Sequence, residues 1–202
     1  MIGPDMGGVY YVGTKGLGMY LIPTAEGHIV IEGGFYLGSE DNAYLNAPPV
    51  KVDRIIADGE TVKLGGVSLT AHITPGHTRG CTSWTMDVVH GGKPLEVLFF
   101  YSATVAANRL TGPPGKTGAQ YADIVDDYRK TFASTKNWKP DVFSSNHTEF
   151  FLFKEKRAKY LAGDPLAFIN KEDFPKFIAK LAVVFESGLQ KQQRKNNAII
   201  SE

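Results

Sequence analysis

Apolar positions in the first hundred residues fall in short runs broken by glycine, proline and acidic turn formers. Residues 9–13, 18–22 and 28–32 are three such runs, rich in Val, Ile and Tyr, and predict strands. Turn formers dominate 38–49, and the runs at 52–56 and 61–64, with Asp58-Gly59 between them, read as a hairpin. Val67 to Ile73 alternates apolar and polar positions, the period of a half-buried strand, and 82–88 and 95–101 follow, joined through Gly91-Gly92. Helical spacing first emerges at Tyr121, Ile124, Val125, Tyr128 and Phe132, one face of an amphipathic helix. A short buried strand at 141–144 and a helix at 150–161 come next. Phe174, Phe177, Ile178, Leu181, Phe185 and Leu189 define a last helix, with Asn170 as its N-cap and Pro175 tolerated in its first turn.

This order is lopsided. The first half shows strands and almost no helix, and the second shows strands with at least three helices. A layered α/β protein covers both faces of its sheets. The N-terminal strands have no helix of their own, so a segment is missing between Gly34 and Phe35.

Composition narrows the function classes. The chain has 202 residues, 43% hydrophobic and 21% charged, enough for one globular domain over 1–202 with a sizeable core. A formal net charge of +1 gives no field that would steer it to nucleic acid or an acidic membrane. The basic stretch 191–195 reads as a solvated helix end. With Cys81 alone no internal disulfide can form, no apolar run is long enough to span a bilayer, and the N-terminus reads as having no signal peptide.

Chemistry concentrates at two strand ends. In Thr74-Pro75-Gly76-His77 a strand runs into a Pro-Gly turn that can aim His77 rigidly into a cleft. In Phe143-Ser144-Ser145-Asn146-His147 a buried strand ends in a second loop histidine. Two such histidines on one rim are a metal-site arrangement; a lone loop histidine more often fills a surface or hydrogen-bonding role, and only the pair with the Pro-Gly-His turn brings the two readings level. His72 falls on the other strand face as a packed or hydrogen-bonded residue, and His28 and His90 are turn residues. Ser102 lacks the Gly-x-Ser-x-Gly context of a serine nucleophile, and no Gly-Gly pair has phosphate-loop spacing.

Residues 9–14, 26–31, 52–54, 58–60, 69–84, 99–110, 126–132 and 141–151 together resemble subclass B3 metallo-β-lactamases, in order and along nearly the whole chain. The resemblance implies an αβ/βα sandwich, two sheets inside and helices outside, with its N-terminal half incomplete. It implies a periplasmic or secreted, zinc-dependent β-lactam hydrolase of antibiotic resistance, with two zinc ions per chain and a β-lactam as the small-molecule substrate. By resemblance His77 belongs to the first zinc site and His147 to the second. Ser102 and Thr104 match the loop that meets the substrate carboxylate.

The departure from the family lies in its His-x-His-x-Asp-His motif. The chain has five histidines, no two closer than His72 and His77, so the motif is absent. An internal deletion near 34–35 accounts for it. The expectation is at most one weakly held zinc, no confident catalytic residue, impaired activity, and a fold completed by a homodimer or strand exchange. The alternative is a non-catalytic, metal-poor scaffold or binding protein.

Overall fold

The computed structural model describes residues 8–31, 51–112 and 118–200, with residues 199 and 200 described by backbone alone. The expected junction at Gly34–Phe35 and the turn-rich stretch 38–49 lie outside those residues. The described elements are β1 (Tyr10–Tyr11), β2 (Tyr20–Thr24), β3 (Gly27–Ile31), β4 (Thr61–Leu64), β5 (Val67–Ile73), β6 (Thr82–His90), β7 (Lys93–Phe100), α1 (Ile124–Thr135), β8 (Val142–Ser145), a 3-10 turn (Thr148–Phe151), α2 (Phe153–Leu161) and α3 (Asp173–Ile200).

The strands form two sheets, β1-β2-β3 and β4-β5-β6-β7-β8. All neighbours are antiparallel except β7 and β8, which run parallel and are joined through α1. Alternation decides what each face meets. Leu69, Met86, Val88, Val97 and Phe99 point from the larger sheet onto Tyr20 and Ile22 of the smaller one, with the Tyr20 and Phe99 rings 4.9 Å apart. The opposite face of the larger sheet carries Phe100 and Phe143, which pack on Phe174 of α3 at 5.1 and 5.3 Å. Each such buried aromatic contributes about 1.5–3 kcal/mol through apolar area removed from water. The architecture is therefore the mixed α/β sandwich expected, with α3 against the five-stranded side and Phe153, which opens α2, stacked on Tyr11 of the small sheet at 4.3 Å. On the outer face of the small sheet Tyr10, Leu21 and Val30 form one cross-strand row, and Val30 is exposed.

Several elements depart from the sequence reading. Residues 52–56 form no strand; Val52 and Ile55 are exposed, and Arg54 pairs with Glu60. Asp58-Gly59 makes a turn but joins no two strands, and instead Asp58 Oδ1 accepts the Ile73 N–H at 2.7 Å. The helix at 150–161 is interrupted. A 3-10 turn ends at Leu152, held at φ 58, which lets Phe151 and Phe153 both turn toward the core while Leu152 stays in solvent. α1 begins at Ile124, after Asp123 at φ 65, so Tyr121 lies ahead of the helix. Asn170 shapes the turn before α3, donating to Asp173 at 2.7 Å and accepting from the Glu172 N–H at 3.1 Å. Gly91 and Gly92, both at positive φ, make the tight β6–β7 turn that glycine alone adopts without strain.

Candidate active site

Topology brings the chemistry to one edge. β5 and β7 both run antiparallel to β6, and β8 runs parallel to β7, so the C-terminal ends of β5, β7 and β8 share one side of the sheet. Loops leaving those ends carry His77, then Ser102 and Thr104, then His147. The β1–β2 loop of the small sheet closes on the same edge. The Gly18 N–H donates to the Asn146 carbonyl at 2.8 Å and the Thr148 N–H to the Gly16 carbonyl at 3.2 Å, on either side of His147. The ring of His147 leans on Phe150, with centroids 4.9 Å apart.

The Pro-Gly-His turn is held by the region around α1. Thr131 Oγ1 donates to the Pro75 carbonyl at 2.7 Å, and the Tyr121 hydroxyl to the Gly76 carbonyl at 3.1 Å. The loop closes on itself through Thr74 N–H to Cys81 O at 2.8 Å and Thr78 N–H to Cys81 Sγ at 3.2 Å. Below it, Thr74 and Ser83 hydroxyls bond at 2.8 Å in a fully buried pair.

His77 is half-buried, and its Nδ1 lies 2.7 Å from the Thr104 carbonyl oxygen. A carbonyl only accepts, so Nδ1 carries the proton and Nε2 keeps the lone pair. Burial lowers the His77 pKa; the Thr104 hydrogen bond opposes that, and the nearby charge of His147 adds to it. His77 is thus a neutral imidazole near pH 7, in the protonation state a metal ligand needs. Ser102 is buried, its hydroxyl 3.0 Å from Thr104 Oγ1, and Thr104 is half-buried.

The structure therefore places His77, Ser102 and Thr104 together and brings His147 to the same edge. It keeps the other histidines away. His72 sits on the helix-covered face with Nε2 2.8 Å from Thr85 Oγ1 and its ring 4.8 Å from Trp138. His28 stands near the β2–β3 turn, and His90 ends β6 opposite Lys93. Among the described residues, no three His, Cys, Asp or Glu side chains come together as a metal cage. The Thr104 carbonyl was invisible to sequence reasoning, because a backbone oxygen has no residue signature.

No protein-family model matches the chain. Among solved structures it is similar to BJP-1, a subclass B3 metallo-β-lactamase of Bradyrhizobium japonicum, at 34% identity over 94% of each chain with a TM-score of 0.84. It is also similar to the native FEZ-1 metallo-β-lactamase of Legionella gormanii, at 25% identity over 94% of this chain and 95% of that one, TM-score 0.78. A metallo-β-lactamase of Cronobacter sakazakii with a HARLDQ motif matches at 26% identity over 93% of this chain and 96% of that one, TM-score 0.79.

Proposed function

The chain belongs to the metallo-β-lactamase family, and from that premise we propose that it is a β-lactam-hydrolase scaffold whose zinc centre is incomplete and whose β-lactamase activity is weak or lost. The carrying observation is the donor set. A catalytic zinc takes three protein ligands and a water, and in the family it makes hydroxide available near neutral pH and polarises a carbonyl. Here His77 and His147 are the two imidazoles at the strand-end edge, and the remaining three of the five histidines lie elsewhere. Two imidazoles do not fit a tightly held catalytic zinc, let alone two ions; they support at most one ion held weakly.

What the chain's own residues do is narrower. His77 offers one oriented lone pair at Nε2. Thr104, half-buried on the rim, is the hydroxyl that reaches a substrate carboxylate, and buried Ser102 orients it at 3.0 Å. The names of the relatives support a β-lactam as the substrate class, and the family resemblance implies a periplasmic or secreted location; no helix among the described residues is long and apolar enough to cross a membrane. We account for the missing donors by an internal deletion near 34–35 within a single domain. The exposed Val30 beside Leu21 and Tyr10 supports a homodimer or strand-exchanged form that covers this apolar row.

Nitrocefin hydrolysis in excess zinc tests the reading. The purified chain is expected to turn over at or near the uncatalysed background. Turnover at rates ordinary for an intact relative would overturn it.

A further inference from the structure

We propose that Tyr128 and Asn108 are positioning residues for His77, acting through the Thr104 carbonyl. The inference rests on reading His77 as a ligand position, and it concerns residues that neither the strand-end pattern nor the family resemblance singled out. The Tyr128 hydroxyl donates to the Thr104 carbonyl oxygen at 2.8 Å, the same oxygen that accepts His77 Nδ1–H at 2.7 Å. A carbonyl has two lone pairs, so both donors are accommodated at once. Asn108 Nδ2 then donates twice, to the Tyr128 hydroxyl at 3.0 Å and to the His77 backbone carbonyl at 2.9 Å. The circuit closes on His77 from both ends, ring and main chain.

The circuit is also anchored. Tyr128 is fully buried on α1, between the Phe185 ring of α3 at 4.8 Å and Gly76. Asn108 is fixed by Gln192 of α3, whose Nε2 donates to the Asn108 carbonyl at 3.0 Å while its Oε1 accepts the Leu110 N–H at 2.7 Å. The long helix thereby holds the loop that holds the carbonyl that holds the ring. Outer-shell partners of this kind fix a ligand histidine's tautomer, and removing one costs about 10–100-fold in metal affinity. In this chain the supporting shell is present around a ligand that lacks most of its companions.

The test reads the tautomer directly. Two-dimensional 15N NMR of the imidazole of the full chain, with His77→Gln for assignment, is expected to show His77 protonated at Nδ1 alone. Tyr128→Phe removes one donor to the carbonyl and keeps the ring that packs on Gly76; Asn108→Ala removes the second link from a half-buried loop. Each is expected to give a tautomer mixture and at least tenfold weaker binding of Zn2+ added alone. Tyr121→Phe, which loosens the same turn without touching Thr104, is expected to leave the tautomer unchanged. Wild-type His77 protonated at Nε2, an unaltered tautomer in both Tyr128→Phe and Asn108→Ala, or an equal shift in Tyr121→Phe would each overturn the proposal. Absence of any zinc binding by the wild type counts against His77 as a ligand, and the tautomer still decides the circuit.

Discussion

The hydroxyl of Tyr20 donates to the carbonyl of Ser145 at 2.7 Å, across 125 residues of sequence. Tyr20 belongs to the small sheet and Ser145 ends β8, two residues before His147, so this bond ties the two sheets together beside the site. Both residues are buried, and losing the donor leaves a buried acceptor short of a partner. Tyr20→Phe is expected to cost about 1–2 kcal/mol, seen as a lower urea midpoint at unchanged m-value.

Gly76 admits no side chain. Its φ is 131°, and a Cβ there would stand 2.7 Å from Tyr128 Cδ1 and 3.1 Å from Tyr128 Cα. The ring could rotate; the helix backbone could not. Gly76→Ala is expected to cost about 3 kcal/mol, from the backbone conformation and the overlap together. Differential scanning calorimetry checks this, and an unchanged melting temperature would show that the turn relaxes freely.

The largely buried pair Lys156–Asp173, with Nζ 2.5 Å from Oδ2, joins α2 to the start of α3. Side-chain exposure is 8% for the lysine and 16% for the aspartate, so solvent screens the pair little. Lys156→Ala alone removes the charge partner of a largely buried carboxylate that keeps its Asn170 donor, and is expected to cost about 3 kcal/mol. Lys156→Met with Asp173→Asn removes both charges and is expected to cost far less, because packing replaces the pair. Chemical denaturation of the single and double variants separates the two cases.

The organisation of the fold was legible where period and partner agreed. Val67 to Ile73 alternated as a strand and is one, because β4 and β6 flank it. Residues 52–56 had the composition of a strand and form none, since sequence composition does not supply a neighbouring strand to pair with. The break at Leu152 was hidden because a helical period tolerates one residue that must turn the other way. At the site, His77 and His147 were legible as strand-end histidines. The role of Tyr128 was masked, because the residue satisfies the amphipathic stripe of α1 and the hydrogen bond to Thr104 equally well.

Acid should weaken the fold through its histidines. Burial lowers the pKa of both His72 and His77, so the folded protein binds fewer protons than the unfolded chain just below the ordinary histidine range. Stability is therefore full above pH about 6.5 and falls as pH drops from there toward the lowered folded values. His72→Gln and His77→Gln should each flatten that slope in urea titrations run at successive pH values. A slope of opposite sign would show that the imidazolium forms are the stabilised ones.

Coordination number can be measured without reference to turnover. Competition of the purified chain against a chromophoric zinc chelator, with elemental analysis of the dialysed protein, gives stoichiometry and affinity together. The chain is expected to hold no more than one zinc, readily lost to the chelator, with no retained binding in a His77→Ala, His147→Ala double variant. Two zinc ions per chain surviving dialysis against the chelator would contradict that expectation.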